Sequence, residues 1–186
     1  MSSSLPRIEF ADLPADLAAT LTSRVKRLGY LGEFFKCAAH QPRALAAFME
    51  LTEVSQEGLP DRLAEVIALT CAAWMGNAYE RNQHERLCVR LGFARDWVAA
   101  VNARKPEANP LLTAEERSVQ HLTLTVLETH GRVAGGLFEE TVQSLGPRLA
   151  MAALMVIGRC MAHGLIANTL QLEPPVPSIF EDGIGG

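Results

Sequence analysis

Two glutamates and a histidine stand close together in this chain: Glu65, Glu80 and His84, the last two four residues apart. On a helix that spacing puts Glu80 and His84 on one face, within reach of each other. A carboxylate that holds one imidazole nitrogen leaves the other free to take or give a proton, so a neutral His84 near pH 7 is suited to acid–base work on a small substrate. Between Arg62 and Arg81 the only charged residues are Glu65 and Glu80. Glu65 therefore sits in an apolar run, where an unpaired carboxylate costs several kcal/mol, and it needs either a specific partner or a role as a proton carrier. Two glutamates and a histidine also suit iron, manganese or zinc. Only one histidine is supplied locally, and no metal or other cofactor is expected.

The elements that must position these groups follow from the pattern. Leu63, Val66, Ile67, Thr70, Cys71 and Trp74 recur at helical spacing, and Ala64, Ala68, Leu69, Ala72 and Ala73 extend the apolar surface, so a helix over 63–74 is covered nearly all round. Gly76 ends it and Asn77 caps a second helix. If the two fold back as a hairpin, Glu65 approaches Glu80 and His84. Each acid also has a structural alternative: Glu80 at the third position of its helix can reach back to the Asn77 amide, and Glu65 can pair with Arg81 or His84 as plain architecture.

The rest of the chain reads as helices over about 13–26, 30–39, 43–53, 94–103, 113–130, 139–144 and 148–170, with 105–110 as a linker and a Thr113/Glu116 capping box. The helix over 148–170 is apolar nearly all round, broken by Arg159 and His163, which stand four apart and can line the same pocket or pair with acids such as Glu65. Trp74 and Met75 read as core, and His121 and His130 as solvent- or interface-facing. The prolines of 173–177 turn the chain into an extended tail, with 183–186 frayed. No segment alternates with period two, so the fold is all α.

With 186 residues, 48% hydrophobic and 20% charged, the chain reads as one domain over 1–186, with its core at about 40–172. A net charge of −4 and a pI near 5.7 give no attraction to nucleic acid or an anionic membrane. The start has no secretory pattern, and the strongest apolar run, 149–158, is short for a bilayer. A cytoplasmic location is expected. Four scattered cysteines, with no C-x-x-C, read as reduced thiols. Two helices apolar on most faces predict a homo-oligomer, between dimer and hexamer.

The stretch W-M-G-N-A-Y-E-R-N-Q-H-E, with Glu65 upstream and a closing apolar helix, resembles the carboxymuconolactone decarboxylase and AhpD-like family over about residues 40–172. The resemblance implies the AhpD-like helical fold, with helical hairpins around two long buried helices. AhpD-like alkylhydroperoxidases carry a C-x-x-C four and seven residues before the histidine. Those positions here are Glu80 and Asn77, which excludes thiol peroxidase chemistry at that motif. The decarboxylase branch is the better match. It implies Glu65, Glu80 and His84 as the catalytic acid–base set on a small organic acid or lactone, with Asn77, Tyr79 and His163 as substrate-binding candidates and Tyr79 orienting a substrate oxygen. The alternative it leaves is a peroxidase-related protein without redox activity, serving in binding or assembly.

Overall fold

The structure, a computed structural model, describes residues 5–181. Among these there are nine α-helices and no strand: α1 (Ala15–Leu28), α2 (Glu33–Ala38), α3 (Pro42–Ser55), α4 (Asp61–Trp74), α5 (Ala78–Arg90), α6 (Arg95–Asn102), α7 (Ala114–Thr129), α8 (Gly135–Leu145) and α9 (Pro147–Thr169). The boundaries follow local chemistry. Pro42 and Pro147 sit in the first turns of α3 and α9, where a missing N–H costs nothing. The Thr113/Glu116 capping box opens α7 with both of its reciprocal bonds present. The expected linker at 105–110 is partly ordered, as a single 3-10 turn over Pro106–Ala108.

α4 is the axis of the molecule. It is buried without a break from Leu63 through Ala72 and packs against α5, α6, α7 and α9. Val66, Ile67 and Leu69 are wholly covered, each worth about 1.5–3 kcal/mol of transfer free energy. Around it α4 to α9 form one apolar core, while α1, α2 and α3 build a second with Tyr79, Ala167 and Leu172. The seam between the two cores runs past Tyr79 and the C-terminal half of α9.

Three expectations need correction. Trp74 is not core: it closes α4 with 38% of its surface exposed, because the chain turns away into α5 before another element covers it. α9 is not covered all round. Its length and apolar content meet the requirement for a bilayer span, with a mean hydropathy of 1.8, once the helix is followed past 158. One face packs on α3, α4, α7 and α8 and carries Arg159 and His163 inward; Met151, Met155, Leu165 and Ile166 are open. The proline-rich tail does not leave the molecule either. It lies along α5, with Asn82 Nδ2 donating to the Val176 carbonyl (3.0 Å) and Arg86 Nε to that of Pro177 (2.9 Å). The buried carboxylate of Glu85 accepts from Ser178 Oγ (2.6 Å), the Ile179 amide (3.2 Å) and Asn102 Nδ2 (2.9 Å). The tail thus clamps the helix that carries Glu80 and His84. The fraying expected at 183–186 falls outside the described residues.

Candidate functional site

Glu65 comes from the middle of α4, Glu80 and His84 from the first two turns of α5, and His163 from the second half of α9. The α4–α5 hairpin brings the first three together as its sequence predicts. His84 Nδ1 donates to Glu65 Oε2 at 2.8 Å, and Cys88 Sγ lies 3.5 Å from the same oxygen. His84 Nε2 is 3.7 Å from Glu80 Oε2, and His163 Nδ1 lies 2.9 Å from that oxygen. The result is a continuous chain, Glu65–His84–Glu80–His163, across three helices.

Both structural alternatives can be judged. Asn77 does cap α5, its Oδ1 accepting from the Glu80 amide at 3.0 Å. The reciprocal bond is missing, because the Asn77 amide is already spent on the Ala72 carbonyl at 2.9 Å. The Glu80 carboxylate is therefore free to face the two histidines. Glu65 pairs with His84, and Arg81 instead approaches Glu85 (3.5 Å).

Electrostatics alter the expected protonation. Burial works against a charge on His84, but the charge and hydrogen bond of Glu65, then those of Glu80, lift its pKa to about 10. Burial likewise disfavours the Glu80 carboxylate, yet His163 and then His84 hold it well below the ordinary range. His84 is thus an imidazolium between two carboxylates at neutral pH, not the neutral base anticipated from its spacing.

The cluster opens into a cavity of about 230 Å³ at the seam of the two cores. Glu65, Glu80, His84, His163 and Arg159 line its inner end, Phe34, Phe48 and Met49 its walls, and Arg24, Glu53 and Arg90 its rim. Of the predicted binding residues, His163 belongs to it fully, its ring against Phe34 at 3.9 Å between centroids. Tyr79 also lines it, but its hydroxyl accepts from the Phe34 amide (3.2 Å), tying α2 to α5. Asn77 lies outside it, against a second, water-sized void bounded also by Cys71, Cys160 and Gly164. There Cys160 is held at about 7 by a hydrogen bond from Cys71, against burial, and by the charge of Arg159. All four cysteines are buried and unpaired as disulfides. No group of three or more His, Cys, Asp or Glu side chains suited to a metal occurs among the described residues.

No protein-family model and no curated protein matches the sequence. Solved structures do. The debrominase Bmp8, as a cysteine-to-alanine variant in complex with 2,3,4-tribromopyrrole, superposes with a TM-score of 0.79 at 16% identity, covering 93% of this chain and 92% of its own. A peroxidase-related AhpD core protein from Ralstonia eutropha JMP134 gives 0.68 at 20% identity over 94% and 93%. A protein of unknown function from Agrobacterium tumefaciens, a candidate AhpD for antioxidant defence, gives 0.66 at 22% identity over 75% and 96%. The chain has the AhpD-like fold. Within it, a capping amide, Asn77, and a carboxylate, Glu80, stand at the start of α5. The buried Arg159 was visible only as an arginine in an apolar helix, four residues before His163, and nothing in the sequence decided between a pocket and a salt bridge for it. The aromatic wall from α2 and α3, Phe34 and Phe48, carried no signal at all, since helical spacing does not distinguish a phenylalanine facing a core from one facing a cavity.

Proposed function

We propose that this protein is a cofactor-independent acid–base enzyme acting on a small organic acid or lactone, in the manner of a carboxymuconolactone decarboxylase. The observation that carries the reading is the Glu65–His84–Glu80–His163 chain at the closed end of a cavity with aromatic walls. Glu65 fixes the ring of His84 through Nδ1 and leaves the Nε2–H toward Glu80 and the cavity. A donor with a pKa near 10 is matched to an enolate oxygen, so His84 stabilises and then protonates the oxyanion that forms when carbon dioxide or a proton leaves a carbon beside a carbonyl. The proton that His84 gives is replaced from water entering the cavity, while Glu80, held as a carboxylate by His163 and His84, favours the charged form of His84. The cavity suits a single unsaturated ring; Bmp8, of the same fold, was solved with a pyrrole.

Solvent-exchange NMR tests this: unsaturated lactones and 3-oxo acids are incubated with the protein in D2O, and deuterium incorporation and carbon dioxide release are followed. Turnover of at least one such compound, lost about 10²–10⁴-fold in His84→Gln, is expected. Full activity of that variant, or a folded protein inert to every acid and lactone, refutes the reading. It would then favour the alternative of a peroxidase-related binding or assembly protein. The open apolar face of α9, with Met151, Met155, Leu165 and Ile166, supports self-association, and a monomer in sedimentation at micromolar concentration would refute that part.

A further inference from the structure

Arg159 is the group at the cavity's inner end that the proton-transfer chain leaves unused. It is only 5% exposed. Among the described residues no carboxylate lies within ion-pair distance of it; its Nη2 donates to the Cys160 sulfur at 3.0 Å, and its Nε finds no acceptor. One turn on, His163 Nε2 is likewise buried without a partner. A guanidinium taken out of water with only the partly ionised Cys160 sulfur beside it lacks a full counter-charge, and buried donors in folded proteins are almost always satisfied. Arg159 Nε is a buried donor without an acceptor and His163 Nε2 is unpartnered one turn on, both in side chains that line one cavity, and the guanidinium calls for an acceptor supplied from outside.

We infer that Arg159, with His163 beside it, anchors the carboxylate of the molecule that occupies this cavity, and that the protein selects small monocarboxylates carrying an unsaturated ring. The inference rests on the reading of this cavity as a substrate site. A planar carboxylate matches the guanidinium fork. A dianion such as phosphate is opposed by Glu65 and Glu80, which share this end of the cavity. The ring then lies against Phe34 and Phe48, with its reacting carbon toward Glu80 and His84. A lactone that lacks a free carboxylate would miss the anchor, which narrows the candidates to carboxylated lactones and open-chain or ring acids.

Calorimetric titration with benzoate and with the uncharged isostere benzamide tests the anchor without knowledge of the substrate. Wild-type protein is expected to bind benzoate at least about tenfold more tightly than benzamide, the scale of one hydrogen-bonded charge. Arg159→Met should lose that preference while keeping benzamide affinity, and Arg159→Lys should retain part of it. Equal binding of the two ligands to wild type, no benzoate binding at millimolar concentration, or an Arg159→Met protein that keeps the preference would each overturn the inference. If Arg159→Met does not fold, Arg159→Lys decides: a preference for benzoate unchanged from wild type overturns the inference, and a reduced one supports it. His84→Gln keeps the benzoate preference if the anchor is right, whatever becomes of turnover, so the two proposals fail separately.

Discussion

Replacing Glu65 by glutamine tests the central electrostatic claim. The substitution keeps an oxygen that can accept from His84 Nδ1 and removes the charge that lies 2.8 Å away. Moving a histidine from 6.5 to about 10 corresponds to roughly 5 kcal/mol between its charged and neutral forms, at ~1.4 kcal/mol per pH unit. Glu65 and Glu80 share the lift, with Glu65 the larger contributor, so roughly half of it, about 2–3 kcal/mol, belongs to Glu65 itself. The pKa of His84 should therefore fall by about two units in Glu65→Gln. Because the folded value in wild type lies above the unfolded one, the stabilisation is fully present below about pH 6.5 and is lost as pH rises toward 10. Wild type should lose a few kcal/mol of stability across that window, and Glu65→Gln should lose much less. The assay is the imidazole Cε1–H resonance followed from pH 5 to 11, assigned by its absence in His84→Gln, alongside urea denaturation at each pH. A wild-type His84 that titrates near 6.5, or one whose pKa Glu65→Gln leaves unchanged, refutes the reasoning.

Further outcomes follow from other parts of the structure. Glu80 is held below its ordinary pKa, so its contribution is present above about pH 4.5 and lost as pH falls; acid denaturation of Glu80→Gln should be shallower than that of wild type between pH 5 and 3, by circular dichroism. Ser178→Ala removes a 2.6 Å bond to the buried Glu85 carboxylate and should cost about 1–3 kcal/mol in urea denaturation, with faster amide exchange in α5 as the tail loosens; unchanged exchange would mean the tail does not clamp that helix. A Cβ on Gly32 would lie 2.9 Å from the Tyr79 hydroxyl, so Gly32→Ala should destabilise wild type by about 1–2 kcal/mol but cost less in a Tyr79→Phe background, a coupling read from a double-mutant cycle.

Much of the site was legible because its first three members lie on one hairpin. Residue spacing fixes the face that Glu80 and His84 share, and the short turn at Gly76 fixes where Glu65 must meet them. His163 and Arg159 come from α9, and only tertiary packing decides which way a helix apolar on every side is turned. The same limit explains the overestimated burial of α9 and Trp74, since periodicity reports that a surface is apolar and not whether anything covers it. The tail was misread for a different reason. Its prolines exclude helix and strand, but the bonds that hold it come from Asn82, Arg86 and Glu85 on α5, and nothing in the spacing of those polar residues points to the tail. Protonation lay further out of reach, because His84 becomes a cation only through distances to two carboxylates.

The contrast between Glu80 and Glu116 shows how one local motif reaches two ends. Both are glutamates at the third position of a helix whose cap accepts from their own amide: the Glu80 amide donates to Asn77 Oδ1 at 3.0 Å and the Glu116 amide to Thr113 Oγ1 at 3.2 Å. At α7 the Thr113 amide has no other acceptor, so Glu116 takes it at 2.9 Å while also holding Arg62 and Trp97 Nε1. That carboxylate is fully committed and buried within the fold. At α5 the tight turn after α4 hands the Asn77 amide to the Ala72 carbonyl, and the carboxylate of Glu80 is released toward His84 and His163. The short α4–α5 connection therefore does two things. It sets the approach of Glu65 to His84, and by using up the one donor that would have claimed Glu80 it leaves a charged side chain at the inner end of a cavity.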